Sequence, residues 1–140
     1  RLLPQTELVV VTTPQLSAQK VATRVADMAK RSFIPLLGVV ENMSYFESGE
    51  GNKYKIFGEG GGNELSKKFG IPLLNKIPIS EDSIEESENG IPILLQQENT
   101  PTKKAMQDLV NTIVKILPPV SDETCTGRLA KVLEELEVEV

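Results

Sequence analysis

The sequence predicts an α/β fold in which helices flank a parallel sheet, and three observations support this. Apolar runs rich in Val, Ile and Leu recur at residues 8–11, 34–40 and 71–79. Continuous runs of this kind are typical of strands that are buried on both faces of a parallel sheet. Segments with helical spacing of apolar residues lie between and after the runs, and this alternation is the pattern of an α/β protein.

The segment after the first apolar run is predicted to form an amphipathic helix of about four turns. Thr13 is a suitable N-cap, and Pro14 suits the first helical position, where its missing N–H would lack a partner anyway. The helical spacing predicts a buried face made of Val21, Ala22, Val25, Met28 and Ala29.

Three further helical segments follow. A short helix is expected from Glu64 to Phe69, closed by Gly70 as its C-cap, and residues 80–90 are expected to form one or two turns. A longer helix begins after Thr100, its predicted cap, with Pro101 at the first position. The expected buried face of this longer helix consists of Met106, Leu109, Val110, Ile113 and Leu117.

Composition excludes several classes of protein. A length of 140 residues indicates one domain or part of one, and the first residue, Arg1, indicates a segment of a longer protein. The net charge of −5 argues against nucleic-acid binding, which requires Lys and Arg to neutralise phosphates. No apolar run approaches the roughly 18 residues of a membrane span. A single cysteine, Cys125, cannot form an internal disulfide, so we expect a cytoplasmic protein.

Three consecutive glycines, Gly60 to Gly62, precede the short helix and raise the question of a phosphate-binding loop. A Walker A loop requires a Lys and a Ser or Thr after its last glycine. Asn63 and Glu64 stand there instead, and the carboxylate of Glu64 would repel a phosphate. The glycines are therefore predicted to be a hinge before a helix.

Asn42 is the first candidate for ligand contact. It follows the second apolar run, at the carboxyl end of a predicted parallel strand, where open α/β sheets bind their ligands. Its carboxamide offers an acceptor and two donors, which match the adjacent donor and acceptor on the edge of adenine. The alternative is an asparagine that satisfies backbone groups where the strand ends.

Pro78 and Ile79 are the second candidate. They end the third apolar run, so they would lie at the same edge of the sheet as Asn42 and form an apolar ledge against a base. The alternative is a proline that simply ends a strand.

Several motifs together resemble the C-terminal half of the Mrp/ApbC-type P-loop ATPases, in the MinD-like branch. They are "VVVTTPQ", "GVVENMSYF", "IFGEGGG", "FGIPLLNKIPI" and "ENGIPI", in order from Leu8 to Ile93. The resemblance implies the C-terminal part of a parallel-sheet P-loop NTPase fold over residues 1–120, followed by an amphipathic helical tail at residues 121–140. It also implies a homodimer that binds ATP with Mg²⁺ and carries iron–sulfur clusters to apo client proteins. Asn42 would recognise adenine, and Pro78 and Ile79 would line the base pocket.

Two departures from the family pattern limit what the resemblance implies. The Walker A loop and the magnesium-binding acidic motifs of the family precede the "VVVTTPQ" strand, so this segment alone is not expected to hydrolyse ATP. Many members carry Cys-x-x-Cys shortly after "ENMS", and those positions correspond to Ser48 and Gly51. Neither residue is a soft-metal ligand. The sequence thus predicts no metal ligand here, and a polar hairpin in place of a [4Fe–4S] site.

Three hypotheses for function follow. The first is an ATP-binding cluster carrier of the Mrp type, of which this chain is the C-terminal part. The second is a MinD-like, nucleotide-dependent interaction switch without cluster binding. The third is a non-enzymatic adaptor that dimerises through the loop and the tail.

Overall fold

The computed structural model describes residues 6–48, 51–79, 90–96 and 99–117. Its strands are β1 (Leu8–Thr12), β2 (Leu36–Glu41), β3 (Phe46–Glu47), β4 (Lys53–Tyr54) and β5 (Leu73–Lys76). Its α-helices are α1 (Leu16–Arg31), α2 (Gly61–Phe69) and α3 (Pro101–Ile116), and a 3-10 turn covers Ile93–Leu95. The predicted alternation of strands and helices is confirmed.

A three-stranded parallel sheet in the order β1-β2-β5 forms the centre of the described structure. Val10 of β1 pairs with Val39 of β2, and both are buried. Helices α1 and α2 pack on the sheet and against each other. Val11 of β1 is 58% exposed, so the prediction that this strand is buried on both faces was wrong. The core cluster consists of Val10, Ala22, Ala26, Val39, Leu65 and Phe69.

The start of α1 differs from the prediction. The N-cap is Gln15, which makes no side-chain capping bond, so the assignment of Thr13 as cap and Pro14 as first residue was wrong. Gln19 Nε2 donates to the carbonyl oxygen of Pro14 at 2.8 Å. Pro14 also lies against the first residue of α2, Gly61. Because of these contacts, Thr13 and Pro14 belong to the connection after β1, and the helix begins at Leu16, two residues later than predicted.

The buried face of α1 is also narrower than predicted. Ala22, Ala26 and Ala29 are buried, whereas the side chains of Val21 and Met28 are 60% and 51% exposed. Small side chains let the helix approach the sheet and α2 closely. Ala26, which was not in the predicted face, is completely buried.

The later elements agree with the prediction in their caps and differ in their extent. Gly70 ends α2 in the left-handed conformation (φ 66°), as expected. Thr100 caps α3 by accepting a hydrogen bond from the Lys103 N–H at 3.1 Å, and Pro101 is its first residue. The predicted apolar face of α3 is only partly buried: Val110 is 39% exposed. Strand β5 covers four residues of the predicted run at 71–79.

Other predictions concern residues outside the described part of the chain. They are most of the turns at residues 80–90, the tail at residues 121–140 and Cys125. In the described ranges, no helix is long and apolar enough to cross a membrane.

Candidate functional site at the carboxyl edge of the sheet

Asn42 lies directly beyond the carboxyl end of β2, as predicted. Its backbone N–H donates to the Thr12 carbonyl at 2.7 Å, which extends the pairing of β2 with β1 by one bond. Its side-chain Oδ1 accepts a hydrogen bond from the Met43 N–H at 2.9 Å. No residue in the described ranges pairs with its Nδ2. The amide therefore keeps both of its donors available at the edge where α/β sheets bind ligands.

A sharp turn at Asn42 and Met43 separates β2 from the continuation of the chain. Met43 has φ 53°, a left-handed conformation that few non-glycine residues adopt. After the turn the chain again follows the neighbouring strand, because the Ser44 N–H donates to the Ile77 carbonyl at 2.9 Å. Main-chain hydrogen bonds therefore hold the chain on both sides of the turn, from Asn42 to Thr12 of β1 and from Ser44 to Ile77.

Pro78 and Ile79 lie at this same edge. The Ile79 N–H donates to the Tyr45 carbonyl at 2.8 Å, so residues 77–79 run beside the chain that follows the turn. Pro78 is buried, and its carbonyl accepts a hydrogen bond from Thr102 Oγ1 of α3 at 3.1 Å. The expectation that both residues share an edge with Asn42 is therefore met.

The cavity beside Asn42, however, lies on the other side of the turn. It has a volume of about 400 Å³ between β1 and α1, and neither Pro78 nor Ile79 lines it. Its lining is mostly apolar and includes Val11 and Val21. Thr13 also lines it, and the buried Oγ1 of Thr13 has no hydrogen-bond partner among the described residues. The structure brings the three predicted residues to one edge, and of the three Asn42 alone lines this cavity.

A buried carboxylate stands immediately before Asn42, and the sequence reasoning missed it. Glu41, the last residue of β2, is 0% exposed. Its Oε1 accepts a hydrogen bond from Ser44 Oγ at 2.6 Å, and its Oε2 accepts one from the Gly62 N–H at 2.6 Å. Lys76 Nζ lies 3.7 Å from Oε1. We call these four residues, Glu41, Ser44, Gly62 and Lys76, the carboxylate junction.

The junction corrects the prediction that the three glycines form a hinge. Gly60 does provide a turn, with φ 84°, but Gly61 and Gly62 are buried and form the first turn of α2. A Cβ on Gly61 would lie 2.9 Å from Pro14 Cα, and one on Gly62 would lie 2.8 Å from Glu41 Cβ. These two glycines are required because α2 begins in close contact with the sheet.

The same contact makes the Gly-rich segment an unfavourable place for a phosphate. The N-terminus of a helix attracts anions through its unpaired N–H groups. In this protein the Gly62 N–H already donates to an internal carboxylate, Glu41. A phosphate would have to displace a buried, hydrogen-bonded carboxylate from that position.

The polar hairpin predicted after the turn is present. β3 and β4 pair antiparallel, with Phe46 opposite Tyr54. At the hairpin turn the Gly51 N–H donates to the Ser48 carbonyl at 2.8 Å, and Gly51 has φ 82°. Lys53 packs over the Tyr45 ring, with Nζ 4.5 Å from its centre. Throughout the part of the chain that has been described, no three His, Cys, Asp or Glu side chains cluster as metal ligands.

These features define a class of protein: an α/β protein of the MinD-like P-loop NTPase fold. The cell division ATPase MinD of Pyrococcus furiosus superimposes with a TM-score of 0.59 over 79% of this chain and 43% of its own, at 23% identity. A nucleotide-binding protein of Archaeoglobus fulgidus, solved in complex with ADP, has 38% identity and a TM-score of 0.51. That match covers 59% of this chain and 34% of the other.

The family can be stated more closely. Residues 1–114 match the family described as ParA: NUBPL iron-transfer P-loop NTPase, and the chain belongs to this family. An iron–sulfur cluster carrier protein of Pyrococcus horikoshii is 42% identical over 116 residues, which cover 82% of this chain and 39% of the relative. The iron–sulfur cluster transfer protein NUBPL of Dictyostelium discoideum is 37% identical over 86% of this chain and 38% of its own length. The chain thus spans about two fifths of the length of these relatives.

Proposed function

We propose that this chain supplies the base-contacting part of an ATP-binding iron–sulfur cluster carrier. In this proposal the carrier acts in the cytoplasm as a homodimer and delivers clusters to apo client proteins. The proposal assigns residues 1–120 to the nucleotide-binding unit and residues 121–140 to a helical tail. The observation that carries the proposal is the position of Asn42 at the carboxyl end of β2, where its Oδ1 is held by the Met43 N–H and its Nδ2 makes no hydrogen bond to the described residues.

The geometry of Asn42 fits adenine. Its Nδ2 donors suit the N7 acceptor of the base, and the second lone pair of Oδ1 suits the N6 amino group. The bond from the Met43 N–H fixes the orientation of the carboxamide before a nucleotide arrives. Ile79, half-buried at the same edge, and the buried Pro78 would line the base pocket.

The described residues do not fit the phosphates or Mg²⁺. The Gly-rich segment lacks the Lys and the Ser or Thr that such a loop requires, and Glu41 occupies the N-terminus of α2. We therefore assign to this chain only the recognition of the base. The triphosphate and Mg²⁺ would be held by other parts of the full-length protein.

Replacement of Asn42 by Ala tests the proposal. In the full-length protein, Asn42→Ala should weaken ATP binding by about 1–2 kcal/mol, because a hydrogen-bonded contact to the base is lost. Isothermal titration calorimetry with ATP measures this directly. Asn111→Ala, an exposed position on α3, is the matched control and should bind ATP as the wild type does. Unchanged affinity in Asn42→Ala would remove Asn42 from the base site.

A second candidate function is a nucleotide-dependent interaction switch without cluster binding. The observation that favours it is the hairpin turn, where Ser48 and Gly51 occupy the positions that correspond to the family's Cys-x-x-Cys. Gly51 has no side chain, and the hydroxyl of Ser48 is a poor ligand for iron compared with a thiolate.

Anaerobic reconstitution separates the two candidates. If the switch is correct, full-length protein treated with iron and sulfide should hold little stable cluster through the hairpin, as measured by its visible absorption spectrum and by bound iron per chain. The carrier predicts a clear cluster spectrum in the same experiment. The double variant Ser48→Cys/Gly51→Cys is the matched comparison and should gain cluster absorption. A strong cluster spectrum in the unmodified protein would contradict the switch and favour the carrier.

A further inference from the structure

The carboxylate junction holds a buried charged group with several partners. Glu41 is completely buried, and a buried carboxylate is stable only when it is paired and hydrogen-bonded. Its two short bonds and its ion pair come from three different parts of the fold. Ser44 follows the turn, Gly62 begins α2, and Lys76 ends β5. The junction thus joins the Asn42 turn to the start of α2 and to the end of β5.

The bonds of the junction close the turn that carries Asn42. Glu41 immediately precedes Asn42, and Ser44 follows Met43, so the Glu41–Ser44 bond spans the two residues of the turn. Met43 adopts the left-handed conformation, which costs about 1–2 kcal/mol for a residue of its type. A turn of this kind persists only when its surroundings hold it. The two hydrogen bonds to the buried carboxylate add to the main-chain bonds of Asn42 to Thr12 and of Ser44 to Ile77 in holding the turn.

We propose that Glu41 is a positioning residue that sets the orientation of Asn42 toward the base, with Lys76 as its charge partner. This inference rests on the proposed function, since it concerns the same base contact. Glu41 does not touch the nucleotide. It acts through Ser44, which anchors the far side of the turn, and through Gly62, which fixes the turn against α2.

Two substitutions of Glu41 separate hydrogen bonding from charge. In Glu41→Gln the amide oxygen still accepts from the Gly62 N–H, and the amide nitrogen donates to Ser44 Oγ, because a hydroxyl can also accept. Only the attraction to Lys76 is lost. In Glu41→Ala both hydrogen bonds and the ion pair are lost. If Glu41 positions Asn42, Glu41→Gln should change recognition of the base little, whereas Glu41→Ala should weaken it strongly.

A positioning role and a purely structural role of Glu41 can be distinguished by measuring how strongly the protein prefers ATP to a nucleotide with a different base. Inosine triphosphate presents an O6 acceptor where ATP presents the N6 amino group, so it cannot donate to Asn42 Oδ1. The quantity measured is the ratio of the two dissociation constants, inosine triphosphate over ATP, in the full-length protein. Asn42→Ala should lower this ratio by about tenfold, the value of a good two-bond base contact.

A double-variant cycle completes the test. Glu41→Ala should lower the ratio about as much as Asn42→Ala does, and Glu41→Ala/Asn42→Ala should lower it no further, since both act through one contact. Glu41→Gln should lower the ratio by less than about threefold. Ser44→Ala carries the test if Glu41→Ala does not fold, and it should also lower the ratio. Glu64→Gln, an exposed glutamate on α2, is the control and should retain the wild-type ratio.

The outcomes separate this inference from the proposed function. Equal losses of affinity for both nucleotides in Glu41→Ala, or losses that add in the double variant, would overturn the positioning role and leave the base contact of Asn42 intact. A wild-type ratio in Ser44→Ala would also overturn it. A wild-type ratio in Asn42→Ala would instead remove the base contact itself, and the positioning role with it.

Discussion

The carboxylate junction and the hairpin turn both contain a glycine and a serine, yet they use them in opposite ways. At the junction, Gly62 is buried because no Cβ fits beside Glu41, and Ser44 donates its hydroxyl to that carboxylate. At the hairpin turn, Gly51 has open space around it and is required for its positive φ. The buried Oγ of Ser48 has no partner among the described residues. At the junction the glycine is therefore needed for close packing, whereas at the hairpin turn it is needed for a backbone conformation that other residues disfavour.

The largest effect is expected at the junction glycine. Gly62→Ala should lower the free energy of unfolding by about 2–3 kcal/mol, because the new methyl group would lie 2.8 Å from both Glu41 Cβ and Leu73 Cδ1. Urea denaturation of the full-length protein measures the change. Asn63→Ala, at the next and exposed position of α2, is the control and should change stability little. A wild-type midpoint for Gly62→Ala would show that α2 can move away from the sheet at little cost.

The next largest effect is expected from removal of the junction serine, Ser44, whereas removal of the hairpin serine, Ser48, should have little effect on stability. Ser44→Ala should cost about 1.5–3 kcal/mol, because it removes a 2.6 Å hydrogen bond to a buried charged group. Ser48→Ala should cost about zero, because no bond to a described residue is lost and an unpaired buried hydroxyl is itself unfavourable. Thermal denaturation of both variants side by side checks the difference. Equal costs would contradict the contrast between the two regions.

Of the two glycines, the hairpin glycine should show the smaller loss of stability. Gly51→Ala should lower stability by about 1 kcal/mol, because alanine is disfavoured at φ 82° although its methyl group has room. Gly51→Asn is the informative companion, since asparagine tolerates the left-handed conformation better and should cost less. Chemical denaturation of the two variants gives the comparison. A loss as large as that of Gly62→Ala would mean that this turn also packs against other residues.

Much of the fold could be predicted because the signals are local. Continuous apolar runs identified β1, β2 and β5, and the capping residues Thr100 and Gly70 were read directly from their neighbours. The position of Asn42 followed from the same runs, because a polar residue after a buried parallel strand must lie at the carboxyl edge. Its role in binding adenine stays a prediction.

The errors arose where distant contacts decide the structure. Glu41 reads as an ordinary polar residue at a strand end, and its burial depends on Gly62 and Lys76, which are brought near only by the fold. The face of α1 was misassigned because helical periodicity allows two overlapping faces, and close packing selected the one centred on Ala26. The glycines before α2 were read as a hinge because nothing in their neighbours reveals Glu41.

The bond from the Gly62 N–H to Glu41 also has a consequence for the motion of α2. First-turn amide hydrogens of a helix usually lack a partner and exchange rapidly with water. The amide of Gly62 is buried and donates to a carboxylate 2.6 Å away, so its hydrogen can exchange only when the start of α2 separates from the end of β2. The rate at which the Gly62 amide hydrogen exchanges with deuterium therefore reports how often the Gly-rich segment separates from the central strand.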